Sequence, residues 1–192
     1  MASRARVSDD ELLSAARRVF LRDGVDAPTS AVASEAGVSE ALVFKRFHTR
    51  EAMLHRALAP RTPRWHRLLD PAPADARVAL EQVALAMVEE MRAEMPASML
   101  AWSRSPGDPW AGHPGEPPPV IGIRVLSAWF DQLMRAERLR PSDPELLARV
   151  FSGAVAAHAM AQMTGLATHL PLANSAFARG LVESLWVGVE PR

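Results

Sequence analysis

Lys45 and Arg46 stand side by side one turn into a short segment, Ser39 to Phe47, whose first residues are small or polar. An ammonium and a guanidinium in that place are donors suited to guanine O6 and N7 or to phosphate oxygens. Glu40, Ala41 and Leu42 occupy the turn before them, from which side chains reach base edges, and Ala41 or Leu42 would touch a thymine methyl. Backbone N–H groups at helix N-termini add a second kind of phosphate donor. Three candidate helix starts follow one another here: Thr29-Ser30, Ser39-Glu40 and Thr49-Arg50. The bland alternative is that Lys45 and Arg46 are a solvated helix face.

A second group of residues is apolar. Met87, Met91, Met95 and Met99 recur at i, i+4, and Trp102, Trp129, Phe130, Leu133, Met134, Phe151 and Met163 could join them. Such a stripe reads either as ordinary core or as the lining of a site for a neutral, mainly apolar ligand, because Met fills irregular space. His158 is the ionisable group centred in a long uncharged run, 150–178, and reads as a satisfied core residue or as a ligand-orienting one.

Catalytic chemistry finds little support. The phosphate-loop and dinucleotide glycine patterns, the HExxH zinc pair and a serine nucleophile elbow are all missing from the sequence. With no Cys there is no disulfide framework, thiolate metal site or thiol nucleophile. The expectation is a protein that is not an enzyme, with no metal site and no cofactor.

The elements that must position these residues are helical throughout. Ser8 and Glu11 form a capping box, and Leu12, Leu13, Ala16, Val19 and Phe20 recur at helical spacing up to Gly24. Thr29 is an N-cap candidate for a helix through Ala36; Gly37 supplies a left-handed stop; Ser39 caps the next helix, and Thr49 the one after. Helix, glycine turn, helix is the outline of a DNA-reading helix-turn-helix. Pro60 and Pro63 interrupt the chain and read as a hinge, with Thr62-Pro63 a cap pair for a short helical piece. A helix is expected over about 75–94, with Pro96 beginning or kinking a short one to about Ser103. A Pro- and Gly-rich loop then spans 104–119, and a helix begins near Pro119. Ser142 and Glu145 suggest a second capping box opening a long helix, and the last helix covers about 172–187. The fold class is all-α, with about nine helices: a three-helix head over 1–59 and a helical body over 60–192.

Charge divides the same way. Residues 1–67 carry 12 Lys and Arg against 8 Asp and Glu, while 68–192 carry 10 against 14, so zero net charge hides a basic head and an acidic body. The N-terminus lacks an apolar signal region, and the uncharged run is too often interrupted, by His158, Gln162, Pro171 and Asn174 among others, to span a membrane. A cytoplasmic setting without membrane association is the default.

In register and without a gap, Thr29, Val32, Ala33, Ala36, Gly37, Val38, Ser39, Ala41, Val43, Phe44, Arg46, Phe47, Arg50, Glu51 and Met53–Leu54 stand in the slots of a signature close to T-x-x-I-A-x-x-A-G-V-S-x-G-x-L-[YF]-x-[HYR]-F-x-x-[KR]-E-x-L. Upstream, Leu12, Leu13, Ala15, Ala16, Phe20 and Gly24 fit as well. Over residues 8–56 the sequence resembles the TetR family of transcriptional regulators. The resemblance implies DNA contacts from Thr29, Ser30, Ser39, Glu40, Ala41, Leu42, Phe44, Lys45, Arg46, Thr49 and Arg50, with Arg50 as a phosphate clamp. Phe44 stands where many relatives carry Tyr, so a phenolic phosphate contact is lost, and Ser30 is too short for much base reading.

The resemblance further implies a homodimer through the last two helices, two reading heads on double-stranded operator DNA, and a small-molecule effector in the body. The effector residues are then Met87, Met91, Met95, Met99, Trp102, Trp129, Phe130, Leu133, Phe151 and His158. The expected function is a ligand-responsive regulator, most simply a repressor on a palindromic operator. The alternatives are an activator or ligand-independent regulator, or a helical bundle that binds a small molecule or partner and carries a vestigial head.

Overall fold

A computed structural model describes residues 7–61, 63–104 and 115–189. Among them are eight α-helices, two short 3-10 turns and no strand. The helices are α1 Asp9–Asp23, α2 Thr29–Ala36, α3 Glu40–Phe47, α4 Arg50–Leu58, α5 Ala76–Trp102, α6 Pro118–Arg135, α7 Pro144–Met163 and α8 Asn174–Val189. The chain divides into two compact units, one holding the described residues of 1–61 and 95–111, the other those of 62–94 and 112–192.

The first unit is built by local signals. Ser8 caps α1 by accepting from Glu11 N–H, and the Glu11 carboxylate accepts from Ser8 N–H at 2.7 Å. That bond holds the Glu11 carboxyl below the usual range. Gly37 ends α2 at φ 67°, ψ 31°, a left-handed conformation that costs any side-chain-bearing residue more than glycine. Ser39 and Thr49 cap α3 and α4 by accepting from Leu42 N–H and Ala52 N–H. Thr29 is not a cap: the N-cap of α2 is Pro28, and Thr29 is the first helical residue, with its side chain buried. Leu12, Val19, Phe20, Val32, Val43, Phe47, Met53 and Leu54 form one core. Each large side chain removed from water there contributes about 1.5–3 kcal/mol. Arg17 is buried beside this core and donates to the carbonyls of Ala57 and Ala59, satisfying groups that the end of α4 leaves open.

Proline does not divide α5. The helix is continuous through Pro96, although that residue cannot donate the i→i−4 bond. Burial on both sides outweighs the lost bond: Val83, Ala84 and Val88 are locked in one core, Ala97 in the other. The expected separate helix after Pro96 is therefore absent, which is one reason for eight helices rather than nine.

The second unit packs Trp65, the first part of α5, α6, α7 and α8 around Leu126, Phe130, Leu133, Phe151 and Val155. Asp75 accepts from Arg77 N–H and Val78 N–H and so starts α5. Asp143, not Ser142, caps α7, accepting from Glu145 and Leu146 N–H with Pro144 in the first turn. The Trp65 ring lies against α6 beside Gly122, where an added Cβ would stand in ordinary van der Waals contact, 3.7 Å from the indole. Thr62 and residues 105–114 of the Pro-rich loop lie outside the described residues.

Candidate nucleic-acid interface

The helix α3 turns about 100° per residue. Val43 and Phe47 therefore share one stripe, and both are buried, at 1% and 3% exposure. That rotation sets Lys45 opposite them. Lys45 is exposed, with no hydrogen bond or ion pair among the described residues, and it is the chain's only lysine. Ser39, Glu40, Ala41 and Phe44 share its exposed surface, and Phe44 is 46% exposed. His48, at the end of α3 with φ 63°, lies on the exposed side too. Sequence reasoning passed over His48 because nothing in its spacing marks it; only the turn geometry places it.

The other cations of the head among the described residues are engaged. Arg46 pairs with Asp9, and Arg56 reaches the same carboxylate at 3.6 Å. Arg50 donates to the carbonyls of Val25 and Ala27 and lies 3.7 Å from Asp26 and 3.5 Å from Glu51. Arg18 and Arg22 share Glu35, and their hydrogen bonds hold that carboxyl below its ordinary range. Arg46 and Arg50 are half-buried, with side-chain exposures of 32% and 23%. Leu42 is half-buried, Thr29 is buried, and Ser30 and Thr49 are exposed at their helix starts. The surface brought together thus centres on Ser39, Glu40, Ala41, Phe44 and Lys45. It holds an exposed cation without an internal partner, the capped start of α3 and an aromatic ring, an inventory for phosphate contact and base-edge contact.

The apolar candidates fall into two sets. Met87, Trp129, Phe130, Leu133 and Phe151 are buried together, with Met91 against them. Trp129 Nε1 donates to the Asp70 carbonyl at 2.6 Å, and the Phe130 and Phe151 rings meet edge to face, 5.9 Å apart. Met95, Met99 and Trp102 lie in the stretch of α5 that belongs to the first unit, and Met99 is 43% exposed. An apolar cavity of about 10 Å³ lies among Leu80, Phe130, Leu147, Phe151, Val182, Leu185 and Val189. That is room for one water.

His158 is satisfied by polar neighbours. Its Nε2 lies 2.9 Å from Gln162 Nε2 and 3.2 Å from Asn174 Oδ1, and its ring stacks on Phe177 with centroids 4.0 Å apart. His66 was passed over in the sequence. Its Nε2 is buried without a partner, and burial pushes the imidazole below the usual histidine range, against the opposing pull of Glu90.

On α7, Ala148, Phe151, Val155 and Ala159 face the core, while Leu146, Val150, Gly153 and Ala157 are exposed, as is Val187 on α8. No group of metal-ligating side chains occurs among the described residues, and none of their helices is long and apolar enough to cross a membrane.

Residues 12–57 match the family model of bacterial regulatory proteins, tetR family. No curated protein matches the sequence. Solved structures share the fold. A protein assigned to the TetR family from Mesorhizobium loti is 16% identical with a TM-score of 0.71, covering 95% of this chain and 96% of its own. A TetR-like regulator from Rhodococcus sp. RHA1 is 18% identical with a TM-score of 0.61, covering 95% and 98%. FadR from Bacillus subtilis, solved in complex with stearoyl-CoA, is 13% identical with a TM-score of 0.62, covering 93% and 97%. The head, residues 12–57, carries the signature of the tetR family of bacterial regulatory proteins, and the chain as a whole takes the fold of these solved structures.

Proposed function

We propose that the protein is a repressor that binds a palindromic operator as a homodimer through α3 and is released by a small, mainly apolar effector. The observation that carries the reading is Lys45: exposed, unpartnered, and opposite the buried stripe of the helix that follows the Gly37 turn. A single head offers few cations, so useful affinity needs two. The exposed apolar stripe of Leu146, Val150, Gly153 and Ala157, with Val187 nearby in type, favours pairing of α7 and α8 with a second copy. Two heads would then read half-sites about 34–36 Å apart or a multiple of that. The setting that suits this role is the cytoplasm.

Support for the effector class comes from the aromatic and Met-rich core and from the neighbour FadR with its stearoyl-CoA. A long acyl chain is the kind of ligand such a core would take. At the cavity beside Phe130 and Phe151 the core must open to admit it, since drug-sized ligands need about 300 Å³ or more. That tightness favours a second reading, a regulator without a small effector. The domain division proposed is a DNA-binding head over 1–59 and an effector and dimerisation body over 60–192.

Selection from a random duplex pool by the full chain tests the main reading. An inverted repeat with half-sites 10–10.5 base pairs apart, centre to centre, or a multiple, is expected. Recovery of no preferred sequence would contradict it. Quenching of Trp fluorescence by acyl-CoA, together with loss of operator binding, supports the effector; quenching with unchanged operator binding rejects it.

A further inference from the structure

Asp9 stands at the first position of α1, where a carboxylate suits the helix dipole. That task is already filled. Ser8 and Glu11 close the capping box, and Asp10 adds a further charge to the same turn with no partner among the described residues. What distinguishes Asp9 is its two arginines. Its Oδ1 accepts from Arg46 of α3, and its Oδ2 lies 3.6 Å from Arg56 of α4. None of the three is deeply buried: side-chain exposures are 39% for Asp9, 32% for Arg46 and 49% for Arg56. Arg56 also lies over the Phe47 ring, 5.0 Å from its centroid.

A carboxylate and a phosphate present the same paired oxygens to a guanidinium. Arg46 follows Lys45 directly on the reading helix, so its charge would otherwise be free for the DNA backbone. We propose that Asp9 stands in for a DNA phosphate, holding Arg46 and Arg56 back from sequence-independent backbone contact and so sharpening operator specificity. The inference rests on the DNA-binding reading of α3. Its physical logic is that backbone cations raise affinity for every sequence alike, while specificity depends on the ratio of operator to random binding. A head whose cations are mostly satisfied internally keeps random binding low and leaves Lys45 to act.

The test is binding of the full chain to a random-sequence duplex over a range of salt, comparing wild type, Asp9→Asn and Asp10→Asn. Both substitutions remove one negative charge from the same helical turn, so net charge alone would move them together. Asp9→Asn is expected to bind random duplex on the order of tenfold tighter, with a log–log salt slope steeper by about 1 to 2, as one or two cations find phosphates. Asp10→Asn is expected to keep the wild-type slope. Adding Arg46→Gln and Arg56→Gln to Asp9→Asn should remove the gain. An unchanged or shallower slope in Asp9→Asn, an equal gain in Asp10→Asn, or an Asp9→Asn protein that does not fold would each overturn the proposal and leave Asp9 a structural clamp. If the wild type itself shows no salt-dependent binding to any duplex, the DNA-binding reading fails as well, so the two failures are distinguishable.

Discussion

In the head, charge is abundant and most of its described arginines are paired within it; in the body, the long run 150–178 has no Asp, Glu, Lys or Arg at all. Arg18, Arg22, Arg46, Arg50 and Arg56 of the head each meet a carboxylate or a carbonyl within the same unit. The body instead closes on Phe130, Leu133, Phe151 and Val155 and leaves a second apolar face, along Leu146, Val150 and Ala157, uncovered. A basic composition therefore does not equal a set of available cations: what the head offers to a polyanion is set by which groups lack an internal partner. Equally, an apolar run does not equal a buried one, and the part left exposed is where the proposed second copy would pack.

Breaking the body core should have the largest effect. Phe130 is fully buried, so Phe130→Ala should destabilise the protein by about 3–5 kcal/mol in chemical denaturation, the usual cost of such a truncation. A much smaller loss would mean that the core is loose enough to admit a ligand without opening. Next comes the exposed face of α7. Ala157→Glu should leave the fold intact and convert dimer to monomer by sedimentation, because an unpaired charge at an interface costs several kcal/mol. A tight dimer in this variant would place the interface elsewhere.

The buried charge of the head gives a third comparison. Arg17→Met should cost about 1–3 kcal/mol by leaving the carbonyls of Ala57 and Ala59 unsatisfied, read as a lowered melting temperature by circular dichroism. The smallest effect is a pH dependence in the body. The His66 imidazole is held below the usual range by burial, so the native state disfavours its protonated form. The stability it secures is fully present above about pH 6.5 and is lost as pH falls through the lower native value. Wild type should thus lose melting temperature between pH 6.5 and 5 faster than His66→Phe; parallel curves would show that His66 is not responsible.

Most of the head was legible because its signals are local. A capping box, a left-handed glycine and three polar helix starts each act within four residues, and only the cap at Thr29 was misplaced, since Thr29 itself is drawn into the core. The partners of Arg46 and Arg50 were not legible, because Asp9, Val25 and Ala27 lie 23 or more positions away and become neighbours only on folding. In the body, periodicity placed the helices but misjudged α5. Pro96 suggests the start or a kink of a short helix, whereas α5 runs through it from Ala76 to Trp102, with Val88 and Ala97 buried on either side. The Met stripe runs from one unit into the other along α5: Met87 and Met91 belong to the body core, while Met95 and Met99 lie in the stretch of α5 assigned to the first unit.

The central claim is that the face of α3 bearing Lys45 meets DNA, and the chain's single lysine makes a direct test available. An amine-acylating reagent can modify Lys45 Nζ and the N-terminal amine and no other amine in the protein, and peptide mass analysis separates the two. With a duplex recovered by selection bound to the full chain, Lys45 should be protected from acylation while the N-terminal amine serves as the reference, and protein acylated beforehand at Lys45 should fail to bind. Equal labelling of Lys45 with and without the duplex, at salt where binding is complete, would contradict the account.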